Sequence, residues 1–112
     1  MKPINQKIDQ YLLDSIDEAL SFFGEPVKNQ IFVQLESCCS IHREKLPEHI
    51  DEFSRYLHKL FGSNAKIVEI KCMKAFYSRI QKDPGITKKI LISKEHDFTF
   101  SSYVAEFRNN NS

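Results

Sequence analysis

The sequence lacks any hydrophobic run that approaches the ~20 consecutive apolar residues of a membrane-spanning helix. Its first residues, MKPINQKIDQYLL, also lack the basic region and continuous apolar segment of a secretory signal. Glycine is scarce, with three copies, whereas phenylalanine has nine and tyrosine four, which is unlike the composition of a disordered chain. We therefore expect a folded cytoplasmic protein that has no contact with a membrane.

Cysteine is also scarce, and its pattern favours reduced thiols. Cys38, Cys39 and Cys72 are odd in number and two of them are adjacent, which is a poor basis for a disulfide framework. Folding needs neither disulfides nor a metal, because a chain of 112 residues buries roughly two thirds of its unfolded surface. The length is that of a single domain.

No charge of one sign dominates the chain, but the charges are unevenly distributed along it. The net charge of +1 demands neither nucleic acid nor an acidic membrane as a partner. Residues 1–62 carry a net charge of −3, residues 63–94 one of +6 and residues 95–112 one of −2. The basic side chains are therefore concentrated in the middle block.

Apolar residues at helical spacing predict two helices before Ser40. The first runs from Lys7 to Phe23, where Gly24 ends it. Pro26 suits the first turn of the second helix, which extends to near Ser40. The apolar stripe of this second helix is formed by Val27, Ile31, Leu35 and Cys38.

Two further helices follow, and the second of them is the most apolar of the set. Pro47 repeats the signal of a helix start, and Gly62 ends this third helix. A fourth helix from Ala65 to about Ile80 is expected to be central, because its apolar side chains cover more than half of its circumference. The residues expected in one common core are Ile16, Leu35, Phe53, Leu57, Phe76 and Ile80.

The remaining residues have a weaker pattern. A turn at Asp83–Gly85 is followed by residues 86–92, whose short apolar run fits either a helix or a strand. From Asp97 onward the aromatic spacing suits a final helix. The sequence therefore predicts an all-α compact bundle with a four-helix core domain in residues 1–82. A C-terminal extension in residues 83–112 would add the fifth helix, pack on the core and end in a disordered tail.

The order of these features resembles a known family. The segments IDEALSFFGEPVKNQIF, LE, the LP pair before an amphipathic helix that ends in LFG, and AKIVEIKCMKAFY follow one another between residues 8 and 80. In this respect the chain resembles the archaeal Nitrosopumilus output domains, and specifically the fifth of that series. The resemblance implies a helical module of signal-transduction proteins that acts downstream of a sensor and has no established activity, ligand or functional residues.

Cysteine and histidine side chains are the first candidates for chemistry. Cys38, Cys39 and His42 lie close together in sequence, and His49, Cys72 or a carboxylate could complete a metal site. The spacing matches no zinc signature, and Cys38 and Cys72 fall in apolar stripes, as small buried hydrophobes do. A redox-sensitive thiol is the remaining alternative. The four histidines fit a solvated surface, so we expect no enzyme, no metal and no cofactor.

Glu69 interrupts the apolar face of the fourth helix, where it falls between Phe76 and Ile80 on the helical wheel. A buried carboxylate without a partner costs several kcal/mol or becomes neutral. We therefore expect a positive side chain or a hydroxyl group from another helix to contact Glu69. The alternative is a carboxylate that faces a ligand at the floor of a pocket.

Two surfaces are candidates for binding a macromolecule. Tyr11, Phe22 and Val33 are apolar side chains beyond what this core can cover, which favours a protein partner. The basic block offers possible nucleic-acid contacts, although solvated lysines or pairing with the acidic first helix explain the same pattern. These possible contacts are Lys66, Lys71, Lys74, Lys88 and Lys89.

The sequence thus favours a non-enzymatic helical interaction or regulatory domain that acts through protein–protein contacts. We expect a homodimer or another protein partner, and no small-molecule ligand is indicated. The alternative is a nucleic-acid-binding regulator that uses the basic segment of residues 66–94.

Overall fold

A computed structural model describes residues 4–86 and 99–110, and every long regular element in these ranges is an α-helix. The expected all-α bundle of four core helices with a fifth C-terminal helix is confirmed. The helices are α1 (Ile4–Ser21), α2 (Glu25–Cys39), α3 (Ile50–Phe61), α4 (Ala65–Gln81) and α5 (Phe100–Asn110).

The connection between α1 and α2 is short, and α1 ends two residues before the predicted Phe23. α1 ends at Ser21, and the next residues close tight turns in which the N–H of Phe23 donates to Leu20 at 3.1 Å and that of Gly24 donates to Ser21 at 3.0 Å. Gly24 has a φ of 92°, which a residue without a side chain adopts at little cost. The chain therefore reverses within three residues and α2 begins at Glu25.

The predicted start of the third helix at Pro47 is wrong. Pro47 lies inside a separate 3₁₀ helix, Arg43–Glu48, and α3 begins only at Ile50. Leu46 and Pro47 are buried where this short helix packs against α1. Because Leu46 is buried, the neighbouring Pro47 is held in the segment before α3. The proline ring therefore fixes the φ of a residue in the 3₁₀ helix, and not of one in the first turn of α3.

The core is a single cluster of buried side chains with α4 at its centre. α4 packs against α1, α3 and α5, which confirms its expected central position. All six residues expected to share one core belong to this cluster. α5 adds Phe100, Tyr103 and Phe107, each with 0% of its surface exposed, so the C-terminal segment completes the same core.

Some predictions fall on residues outside the described ranges. The choice between helix and strand for residues 86–92, the solvated surface position of His96 and the disordered tail concern residues 87–98 and 111–112. Within residues 4–86 and 99–110, no helix combines the length and the hydropathy needed to cross a bilayer.

A pair of isoleucines on α4 tests the assignment of the core. Ile80 is fully buried, so Ile80→Ala should lower the free energy of unfolding by about 2 to 5 kcal/mol, through lost transfer energy and the cavity left behind. Ile67→Ala is the matched control, because Ile67 is 56% exposed and its loss should cost less than about 1 kcal/mol. Equal effects of the two substitutions in urea unfolding would contradict the packing described here.

Candidate functional site

A chain of aromatic rings covers the end of the bundle where α1 and α3 end and α2 begins. The Phe22 ring, which is 70% exposed, contacts the edge of Phe23 with ring centroids 5.5 Å apart. Phe23 in turn stacks on Phe61 at 5.0 Å. The turns beside Gly24 and Gly62 bring Phe61 to the adjacent pair Phe22 and Phe23, from which it is distant in sequence.

This aromatic chain continues into an apolar groove between α2 and α3. The groove has a volume of about 380 Å³, and Val27 and Leu60 on its sides are 42% and 47% exposed. Its lining residues are Pro26, Val27, Gln30, Ile31, Gln34, Leu60 and Phe61. We call the continuous surface formed by Phe22, Phe23, Val27, Leu60 and Phe61 the apolar strip.

Val27 occupies a position that the helical periodicity had assigned to a buried face. Of the expected stripe on α2, only Ile31 and Leu35 are buried, while Val27 and Cys38 are exposed. The periodicity gives the direction of a side chain around the helix axis. It does not show how closely the neighbouring helix approaches, and at both ends of α2 a cavity lies between α2 and α3.

The structure separates the three aromatic and aliphatic residues that were proposed to contact a partner. Phe22 belongs to the apolar strip. Val33 is 63% exposed but lies on another face of α2, about 240° around the helix from Val27, where it lines a different cavity with Glu36 and His42.

Tyr11, the third of these residues, is half-buried and makes a contact inside the molecule. Its hydroxyl group donates a hydrogen bond to Asp83 Oδ2, which ties α1 to the turn after α4. Asp83 also accepts the N–H of Gly85 at 2.7 Å and lies 3.6 Å from Lys7 Nζ. The hydrogen bond from Tyr11 holds the pKa of Asp83 below its ordinary value, and the same bond raises the pKa of Tyr11.

The described lysines of the basic block divide between several environments. Lys71 places its Nζ atom 4.1 Å from the centre of the Phe22 ring. Lys74, Lys71 and Phe22 line the same concavity of about 560 Å³ between α1 and α4. Arg79 pairs with Glu18 of α1 at 2.9 Å. Lys66 is half-buried in the first turn of α4. The remaining candidates, Lys88 and Lys89, lie outside the described residues.

Glu69 is 1% exposed and has partners on two other helices. Oε1 accepts a hydrogen bond from the Ser54 hydroxyl at 3.2 Å and one from the backbone N–H of Phe100 at 3.0 Å. Oε2 lies 2.9 Å from His58 Nε2. The hydroxyl partner expected from the sequence is therefore found. His58, which was expected to be solvated surface, is half exposed and still reaches a buried carboxylate.

Glu69 lines none of the cavities described for this molecule, so its oxygens serve internal contacts. The N–H of Phe100 is the first of α5, and a helix leaves its first N–H groups without intrahelical partners. The carboxylate of Glu69 thus provides, from within the core, a hydrogen-bond acceptor for the first N–H group of α5.

The cysteines differ from the expected burial at one of three positions. Cys72 is fully buried, and burial raises the pKa of its thiol. Cys38, predicted to be buried, is exposed at the end of α2, and Cys39 beside it is half-buried. His42 pairs with Glu36 at 3.2 Å. Among the described residues, no group of three or more His, Cys, Asp or Glu side chains is arranged to hold a metal ion.

Comparisons with family models, curated proteins and solved structures gave no match. The resemblance to the archaeal output domains therefore rests on the order of helix starts, helix ends and apolar positions alone. The function has to be argued from the surfaces of the molecule.

The contacts of Asp83 predict a dependence of stability on pH. Because the folded-state pKa of Asp83 is lowered, the folded protein releases this proton more readily than the unfolded chain does. Its contribution to stability is present above the ordinary value of 3.8 and is lost as the pH falls below that value. Asp83→Asn should lower the free energy of unfolding at pH 7 and make it decrease less as the pH falls. Urea unfolding between pH 2.5 and 7 measures both effects.

Two tyrosine variants serve as controls for this prediction. Tyr11→Phe removes the hydrogen bond to Asp83 and should also reduce both the stability at pH 7 and its loss in acid. Tyr77→Phe removes a hydroxyl from another half-buried tyrosine, one outside this cluster, and should change neither. An Asp83→Asn variant with the same acid unfolding profile as the unmodified protein would contradict the assignment.

Proposed function

We propose that this chain is a non-enzymatic interaction or regulatory domain that acts through protein–protein contacts, and that its partner is a second copy of itself. The apolar strip is the observation that carries this proposal. The role of a signal-output module, which the resemblance implies, agrees with a domain that works by association.

The apolar strip differs from ordinary surface hydrophobicity in its continuity. Single exposed apolar side chains are common on soluble proteins. Here the exposed Phe22 is joined through Phe23 and Phe61 to the exposed Val27 and Leu60 in one surface. Contiguous apolar surfaces of this kind mark interaction sites, and aromatic residues are enriched at the centres of interfaces.

The shape of the strip favours a second copy as the occupant. A twofold dimer uses the same surface on both subunits, so that surface must complement itself. The strip contains both a projecting group, the Phe22 ring, and a depression, the groove between Val27 and Leu60. A twofold axis between them would place the Phe22 ring of each copy against the groove of the other.

The test is the oligomeric state of variants that carry a charge in the groove. We expect the unmodified protein to dimerise at micromolar concentration in sedimentation velocity and light scattering across a dilution series. Val27→Lys or Leu60→Lys should weaken dimerisation more than about tenfold, because a charge buried at the centre of an interface is left without a partner.

Val33→Lys is the matched control, since it makes the same change on the same helix but outside the strip. It should leave dimerisation unchanged. A monomer at all concentrations up to ~100 µM would refute self-association. A dimer disrupted by Val33→Lys and not by Val27→Lys would move the interface to the other face of α2.

A second candidate function, nucleic-acid binding, is favoured by the concavity that contains Phe22, Lys71 and Lys74. Single-stranded nucleic acids bind where aromatic rings stack with bases and lysines contact phosphates. Two observations weigh against it. Lys71 already occupies one face of the Phe22 ring, and Glu18 contributes a carboxylate to the same concavity and neutralises Arg79.

Salt-dependent titration with single-stranded and duplex nucleic acid separates the two functions. Under the first proposal the dissociation constant for nucleic acid should be larger than roughly 10⁻⁶ M at physiological salt, which is the range of non-specific binding. Tighter binding that falls steeply with salt and is lost in a Lys71→Glu, Lys74→Glu variant would favour the nucleic-acid function. A Lys45→Glu, Arg55→Glu variant has the same change in charge at exposed positions outside the concavity and is the control.

A further inference from the structure

Two adjacent thiols converge at the end of α2. The Sγ atoms of Cys38 and Cys39 lie 3.0 Å apart, although neighbouring side chains on a helix diverge by about 100° around its axis. Cys39 is the last residue of α2, and Ser40 after it adopts a left-handed conformation with φ 56°. The helix therefore ends directly at the thiol pair.

The thiol pair lies in a cavity between α2 and the outer surface of α3. The cavity has a volume of about 280 Å³. Its lining residues are Cys38, Cys39, Glu52, Arg55, Tyr56 and Lys59. A group held by the two sulfurs would thus have the Tyr56 ring beside it and charged side chains at the edge.

The two sulfurs act on each other. The contact with the Cys38 sulfur and partial burial raise the pKa of the Cys39 thiol, while Lys59 opposes this change. Once the first proton leaves, the remaining S–H can donate to the new thiolate. The pair then behaves as one bidentate ligand in which both sulfurs point to the same position.

A direct bond between the two sulfurs is not the favoured product. Ordinary disulfides join residues whose Cα atoms are about 4.4–6.8 Å apart, whereas consecutive Cα atoms across a trans peptide bond are about 3.8 Å apart. A direct bond would close a ring through the two sulfurs and the backbone between them. An atom inserted between the sulfurs enlarges this ring, so that the short Cα–Cα distance can be accommodated. Soft, thiophilic elements are the atoms that two thiolates select.

From these observations we propose that Cys38 and Cys39 form a dithiol site that binds trivalent arsenicals, with the organic substituent of the arsenic lying in the cavity beside Tyr56. Both S–H bonds and both As–OH bonds break, two As–S bonds form, and the two protons leave with the two hydroxides as water. Arsenic remains trivalent, so no oxidant or reductant takes part.

The structure supplies matched controls for each sulfur. Cys72 is fully buried, and its raised thiol pKa keeps it protonated and inert. Cys72→Ser therefore keeps the site intact, whereas Cys38→Ser and Cys39→Ser each leave a single accessible thiol. Because the second As–S bond of a dithiol is intramolecular, binding by the pair should exceed binding by one thiol about 10²–10⁴-fold.

The experiment is a titration of the reduced protein with phenylarsine oxide, followed by intact mass and calorimetry, with arsenite as a second probe. We expect one adduct per chain that survives an excess of a monothiol and is removed by a dithiol. Cys38→Ser and Cys39→Ser should lose this adduct while keeping the circular dichroism spectrum of the unmodified protein, and Cys72→Ser should retain it. Equal binding by the single-thiol variants, or a protein that takes up no phenylarsine oxide, would overturn the proposal.

Discussion

The buried carboxylate of Glu69 is the contact on which the arrangement of three helices depends. It projects from α4, accepts hydrogen bonds from Ser54 and His58 of α3, and accepts the first N–H of α5 at Phe100. Hydrogen bonds to a charged group contribute about 1.5–3 kcal/mol each, whereas a buried charge without partners costs several kcal/mol. α5 must therefore begin where its N–H group meets Glu69, which places the α5 aromatic side chains in the core.

Charges on α1 have a similar organising role at the surface. Asp17 pairs with Lys28 of α2 at 2.8 Å and with Arg43 of the 3₁₀ helix, and Glu18 pairs with Arg79 of α4. The Lys28–Asp17 pair is largely buried, whereas the pairs of Arg43 and Arg79 are partly exposed. Exposed ion pairs contribute little stability, but all three pairs hold neighbouring elements against α1. Of these pairs only Glu18–Arg79 joins the acidic block to the basic block, and none of them explains the exposure of the apolar strip.

Local pattern was sufficient for the helices and for the centre of the core, because periodicity reports which side of a helix faces its neighbours. It predicted α1 to α4, the common core and the anomaly at Glu69. It failed for Pro47, which lies in the 3₁₀ helix before α3, and for Cys38, which is exposed beside a cavity between α2 and α3. The apolar strip could not be predicted from local pattern, because it joins residues 22–27 to residues 60–61, which are distant in sequence. The thiol cavity likewise requires the end of α2 to meet the outer surface of α3.

Both proposed sites lie along α2 for one physical reason. Only Lys28, Ile31 and Leu35 of α2 are buried, while Phe32 and Cys39 pack against the core with part of their surface exposed. The polar contacts of α2 include the hydrogen bond from the Tyr56 hydroxyl to Gln34. Tyr56 lines the thiol cavity and Gln34 lines the apolar groove, so this single bridge separates the two sites. Val27 and Cys38 are exposed and contribute little to the core, which leaves them available for the contacts of the two proposed sites.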